Sequence, residues 1–445
     1  MEKGSGPMSI RNVISGFSNL RRREFLKTLG ATVGGLAVGQ LPLASKMVAA
    51  ARPRELPTLS HMPTIGLLLP LSGMHPHLGE NLAAGLRLSL DEATPQGRSD
   101  PNKLRIEEVG IRPSEALEKA RTLIAKDKVD ILVGVINPSV AIDLHDTLES
   151  SRTFLILAEA GANIVREVEH SPYVFHNTLG YWRASWATGE WAVRNLGKRV
   201  FVASSFYESG YDALHAFRLG AERAGGKVVQ TCISHIPPHV MDLNCLMGAM
   251  NEARPDAVFA MYSGEEALEF VRAFSTSSLV GQIPLICSSF MTENAMLERI
   301  GMAIPGTANC SSWAPGVQNP ENESFKIAFK EMTGRNADSF AVLGYDTGRL
   351  IIETSRTVES ELRNPPLVRE ALRQATFTSP RGVLRMDPET HNMMTPLYLC
   401  EVRVHAHGVV NLVKDELKPA PESNQTVMAL RGETRTGWLN AYLNA

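Results

Sequence analysis

Residues 64–93, TIGLLLPLSGMHPHLGENLAAGLRLSLDEA, constrain the fold more than any other stretch of the chain. They open with the apolar run 65–69, whose length suits a strand buried on both faces. Pro70, Gly73 and Pro76 then interrupt the chain, which predicts an exposed loop. From Gly79 the apolar period lengthens, with Leu82, Leu86, Leu88 and Leu90 at helical spacing and Asp91–Glu92 solvated at the end. Strand, loop and helix in that order begin a βαβ unit. In open α/β sheets the loop beyond a strand's carboxyl end is where ligands sit. The loop has neither GxGxxG nor GxxxxGK[ST], so it is not built to cradle phosphate.

The same alternation continues downstream. Strands are expected at 104–109, 130–135 and 153–157, with Ser114 capping a helix that carries Leu117, Ala120 and Leu123. A second series follows, with strands at 199–204, 227–233, 257–261 and 284–288 and helices at 181–196 and 210–224. Trp182 and Trp186, four residues apart, project from one helix face, a spacing that suits core packing better than a ligand box. Two such series, with parallel sheets and crossover helices, predict two α/β lobes. At 445 residues the chain can bury a core in each.

The string IGLLLPLSG…LGENLAAGLRLSLDEA resembles the start of the type I periplasmic binding proteins of ABC transporters, in the branch that binds leucine, isoleucine, valine and amides. ERAGGKVV, ARPDAVFAMYSG and FKEMTGRNADSFAVLGYDTGRLI resemble the same family, so the likeness spans about 64–413. It implies α/β architecture with two doubly wound parallel-sheet lobes joined by about three hinge crossovers, a Venus-flytrap. The first lobe is expected at 58–181 and 313–385, the second at 182–312 and 386–416, with 417–445 a C-terminal tail. The stretch from Asp387 to Asn392, with Leu397 onward, resembles the family's closing hairpin on the second lobe. A single-domain enzyme with a dinucleotide site is the alternative fold, and the missing glycine fingerprint counts against it.

Candidate binding residues follow from the loops. Ser72 and Leu78 border the first; Asn137 and Ser139 follow the third strand; Ala160 and Gly161 follow the fourth, where free N–H groups suit a carboxylate. The resemblance implies a serine and then a threonine gripping the ligand's carboxylate. Ser139 matches the serine within one position, whereas Gly161 stands near the threonine position. It also implies a tyrosine where Ser209 stands, with Tyr207 or Tyr211 as substitutes. The acid implied for the ligand's ammonium is replaced by Ser289–Phe290, and Glu265 is the expected substitute. Against that role, Glu265 and Glu266 open a helix, where carboxylates are favoured by the dipole alone.

The remaining features bound the function. GxSxG, HExxH and CxxC are absent, and the histidine pairs His75/His77, His235/His239 and His405/His407 lack accompanying carboxylate or cysteine ligands. The expectation is therefore no enzyme, no metal and no cofactor. Charge is balanced at 45 basic against 47 acidic residues, which argues against nucleic acid as a partner. Five widely spaced cysteines read as free thiols rather than a disulfide framework. Residues 1–51 carry Arg21-Arg22-Arg23-Glu24-Phe25-Leu26-Lys27, an uncharged run and Ala49-Ala50-Ala51, the pattern of a twin-arginine signal peptide. The resulting expectation is a periplasmic substrate-binding protein that delivers an amino acid, amide or small carboxylate to the membrane subunits of an ABC permease. A ligand-sensing receptor of the same fold is the alternative; the ligand itself is not legible.

Overall fold

A computed structural model describes residues 59, 61–72, 76–95, 97–109, 113–134, 138–161, 171–205, 212–234, 243–300, 305–359, 361–405 and 408–417. The twin-arginine segment and the tail beyond 417 lie outside the described residues. The first sheet contains β1 (Ile65–Leu69), β2 (Leu104–Glu108), β3 (Ile131–Gly134), β4 (Phe154–Leu157) and β5 (Val174–His176). They run in the order β2-β1-β3-β4-β5, all parallel. The helices here are α1 (Pro76–Glu92), α2 (Pro113–Ala125) and α3 (Pro138–Ser151). Thus α1 begins three residues before Gly79, and Ser114 lies inside α2 rather than capping it.

Period-two alternation sends the side chains of β1 to two different cores. Ile65, Leu67 and Leu69 join Leu82, Leu86 and Leu90 of α1, together with Phe340, Leu343 and Leu350. On the opposite face Leu68 joins Leu132 and Leu155 with Ala120 and Leu123 of α2 and Leu144 and Leu148 of α3. Helices on both faces are what a parallel sheet requires.

The second sheet is built from β6 (Arg199–Ser205), β7 (Lys227–Ser234), β8 (Ala257–Met261), β9 (Leu285–Cys287), β10 (Ala308–Ser311), β14 (Tyr398–His405) and β15 (Gly408–Glu416). Its order is β15-β14-β10-β9-β8-β6-β7; β6 to β10 are parallel and the last two strands antiparallel. One face carries α4 (Tyr181–Asn195) and α5 (Asp212–Arg223), the other α6 (Leu243–Ala253) and α7 (Gly264–Thr276). Trp182 and Trp186 are buried and stacked with centroids 5.7 Å apart, against Ala216 of α5. They are packing residues. A short helix, α8 (Asn294–Ile300), follows a 3-10 turn after β9.

The chain then returns to the first sheet with α9 (Pro320–Thr333), α10 (Ser339–Thr357) and α11 (Pro365–Arg373). A small antiparallel sheet follows, of β11 (Thr376–Ser379), β12 (Gly382–Met386) and β13 (Met393–Met394). Met386 and Met393 join the first sheet's core, and His176 donates its N–H to the His391 carbonyl at 2.8 Å. The turn from Asp387 to Asn392 therefore packs with the first sheet, not the second, because its flanking strands bury their apolar face there. No disulfide joins any of the five cysteines.

The turn between β11 and β12, which holds the fully buried Arg381, bonds to all three passages of the chain between the sheets. Its Nε donates to Asp346 of α10 at 2.5 Å, and its other nitrogens donate to the Thr178 carbonyl and Asn177 Oδ1, each at 2.8 Å. Tyr398, at the start of β14, donates its hydroxyl to the Arg381 carbonyl at 2.7 Å. Asn319, just before α9, donates to the neighbouring Pro380 carbonyl at 3.3 Å. Residues 177–178, 319 and 398 belong to the first, second and third passages respectively. Planar guanidinium geometry lets the one side chain serve Asp346, Asn177 and the Thr178 carbonyl at once.

Candidate ligand-binding cleft

In each doubly wound sheet the order reverses beside one strand, at β1/β3 in the first and β6/β8 in the second. Ligand loops are expected beyond the carboxyl ends there. Ser72 lies beyond β1 and is exposed; Leu78, in the first turn of α1, is half-buried against the first core. Ser139 lies in the first turn of α3, its side chain outside the described residues, as is Asn137.

Beyond β4, Ala160 and Gly161 are buried, but their backbone is already engaged. The carbonyls of Ala160 and Gly161 accept the N–H groups of Tyr181 and Trp182 at 3.0 and 2.8 Å. The Gly161 N–H donates to Glu159 Oε2 at 2.9 Å. The free N–H group expected at Gly161 is thus occupied by a carboxylate of the chain itself. Gly161 holds φ at +70, and a Cβ there would meet the Thr178 Oγ1 at 2.6 Å, so only glycine fits the turn.

In the second sheet Tyr207 and Ser209 lie outside the described residues. Glu265 is exposed at the start of α7 and pairs with Arg299 of α8. Ser289 opens the 3-10 turn, and its carbonyl accepts the Thr292 hydroxyl at 3.0 Å. Of the expected residues that are described, Ser72, Ala160, Gly161 and Ser289 lie beyond the carboxyl ends of strands, and Glu265 faces solvent.

Sequence reasoning missed a row of buried polar groups at the second edge. Tyr262, Ser288 and Ser312 each stand immediately beyond β8, β9 and β10, and each is at most 4 % exposed. Their hydroxyls have no hydrogen-bond partner among the described residues, nor does Glu266 Oε1. An unmatched buried polar group costs about 1–3 kcal/mol, so these groups call for partners other than the described residues. Tyr262 stacks on Phe270 at 4.7 Å; burial, and then the nearby Glu266, push its hydroxyl far above the usual range. Burial raises Glu266 as well, opposed by a hydrogen bond with Ser205 at the end of β6.

The spacing Ser263-x-x-Glu266 suits a capping box. In the structure Ser263 caps α7 without a side-chain hydrogen bond, and Glu266 turns instead towards Ser205. The only sign of this row in the sequence is polar residues directly after apolar strands. Elsewhere, a cavity of about 470 Å³ opens at the amino end of the first sheet, beside Thr64, Lys103, Lys128 and Asp130. It lies at the far end of the sheet from the ligand loops.

Residues 63–408 match the family described as "Periplasmic binding protein". The chain is 25 % identical to Leu/Ile/Val-binding protein homolog 6 of Brucella melitensis over 342 residues, 76 % of this chain and 87 % of the relative. Among solved structures, an ABC transporter substrate-binding protein from Sphaerobacter thermophilus is 29 % identical with a TM-score of 0.73, covering 79 % of this chain and 97 % of that one. A solute-binding protein of an R. palustris ABC transporter, in complex with benzoate, is 26 % identical with a TM-score of 0.67, covering 80 % and 97 %. Two wound lobes, an edge of unsatisfied polar groups where they should meet a ligand, and a family match over most of the length lead to one assignment: the chain belongs to the periplasmic binding protein family.

Proposed function

We propose that the chain captures a small carboxylate-bearing solute between its lobes, outside the cytoplasmic membrane, and presents it to the membrane subunits of an ABC permease. The observation that carries this reading is the row Tyr262, Ser288 and Ser312, whose buried hydroxyls lack partners among the described residues. A ligand bridging two lobes binds the closed state preferentially and so stabilises it. Branched amino acids, named for the Brucella relative, and benzoate, bound in the R. palustris structure, share a carboxylate and little else. On this reading Ser72, Leu78, Asn137, Ser139, Ala160 and Gly161 form the first wall, and Tyr207, Ser209, Tyr262, Ser288 and Ser289 the second. Glu265 lies outside it.

A thermal-unfolding screen over leucine, valine, benzoate, hydroxybenzoate and acetamide tests the reading. At about a hundred times its dissociation constant, a true ligand adds roughly 2.7 kcal/mol to stability. No response to any carboxylate would remove the ligand class. With the best compound from that screen, Tyr262→Phe is expected to weaken binding about two- to tenfold, the worth of one neutral hydrogen bond. Glu265→Gln is expected to leave affinity unchanged, because its carboxylate is solvated and paired with Arg299. Calorimetric titration of both variants separates the two expectations.

Export is proposed to run through the twin-arginine route. Changing Arg22 and Arg23 together to lysine should leave precursor in the cytoplasm on fractionation; undiminished export of that variant would refute the route.

A further inference from the structure

The 3-10 turn Ser289–Thr292 after β9 reaches from the second sheet into the first. Phe290 packs against the cores of both sheets and lies on the Tyr181 ring with centroids 4.8 Å apart. Glu293 follows, directly before α8, and its carboxyl group meets the hydroxyl and backbone N–H of Ser339 at the first turn of α10. α10 belongs to the first sheet's core through Phe340, Leu343 and Leu350. A group on one lobe therefore engages a helix N-terminus on the other.

That helix end already holds an acid. Asp338 caps α10, accepting the Ala341 N–H at 2.8 Å on one oxygen and the Asn81 amide at 2.6 Å on the other. Both carboxylate oxygens of Asp338 are thus committed as acceptors, and Glu293 is brought up beside a second acid at a site that one negative charge suffices to complement. Two neighbouring carboxyl groups are held most stably when they share one proton. From α1 the site is faced by His77 and Asn81, and from the turn before α10 by Arg335, which also pairs with Glu80 at 3.1 Å. His77 and Arg335 act on Asp338, lowering it against the burial that raises it. Glu293 is pushed up to about 8, first by burial and then by Asp338, with Ser339 opposing.

We propose that Glu293 is a proton-linked latch between the lobes: closure seats its carboxyl group on the α10 N-terminus beside Asp338 and takes up one proton from solvent. With the lobes apart Glu293 is hydrated and titrates near its ordinary value of 4.5. The sign follows from linkage. The closed state holds the proton more tightly, so closure is most favoured below about 4.5 and loses ground as pH rises towards about 8. One proton per closure limits the change to about tenfold per pH unit. The latch does not depend on which solute the cleft takes.

Small-angle scattering of the ligand-free full chain between pH 5 and pH 9 tests it. Wild type should open as pH rises, with the closed-to-open ratio falling by up to tenfold per unit. Glu293→Gln, which keeps the shape of the protonated acid, should stay closed, its ratio changing less than twofold across the range. Asp338→Asn retains a good cap for α10 and removes the facing charge, so the ratio should stop falling at a lower pH and its total fall should be smaller than in wild type, and it decides the matter if the glutamine variant does not fold. A pH-independent wild type, a glutamine variant with the wild-type profile, or an asparagine variant with the full wild-type fall would each overturn the latch.

Discussion

Replacing Arg381 by methionine is expected to lower the unfolding free energy by about 3–5 kcal/mol, as measured by urea denaturation, because it leaves Asp346 buried without its partner. The two side chains are fully buried and bonded at 2.5 Å, and the same guanidinium serves Asn177 and the Thr178 carbonyl. Burial pushes the Asp346 carboxyl upward, and Arg381 is the foremost group opposing it. Removing both charges at once, as Arg381→Met with Asp346→Leu, should recover much of the loss, since a buried pair replaced by apolar groups of similar volume is often near neutral. Additive losses in the double variant, or a single variant costing under about 1 kcal/mol, would show that the Arg381 guanidinium is not what holds α10 to residues 177–178.

A second large effect is expected where α1 crosses α10. Their backbones approach so closely that a Cβ on Gly344 would lie 1.9 Å from the Leu82 carbonyl oxygen, and one on Gly85 would lie 1.9 Å from that of Ala341. Backbone cannot give way as a flexible side chain does. Gly344→Ala is therefore expected to cost about 3 kcal/mol by overpacking. Gly248, within α6, supplies the contrast, because a Cβ there meets nothing within 4 Å. Gly248→Ala should stabilise the protein by roughly 0.5–1 kcal/mol through helix propensity. If guanidinium unfolding shows the two substitutions with the same sign and size, the close crossing is not what holds these helices together.

The order of strands and helices is legible in the residues alone. The run from Ile65 to Leu69 and the leucines of α1 announce their periods locally, and a buried parallel strand needs nothing distant to look apolar. Two successive series of that kind predict two lobes, and the resemblance over 64–413 adds the hinge crossovers that join them. Helix starts are less legible, since Pro76 opens α1 where loop chemistry predominates, and Ser114 sits one residue inside a helix that proline begins.

What only the tertiary structure decides is which polar residues lose water and whom they meet. Glu265 and Glu266 are indistinguishable as neighbours in a first helical turn, yet one is solvated beside Arg299 and the other is buried against Ser205. Arg381 reads as an ordinary surface residue in a turn; the partners of its side chain lie 35 to 204 positions away. Glu293 meets Ser339 across the gap between two sheets, and Gly161 spends its N–H on Glu159. Periodicity is a local property of the chain and survives in the sequence. The cost or gain of burying a charge depends on distant groups arriving at the same place, and that is settled by packing.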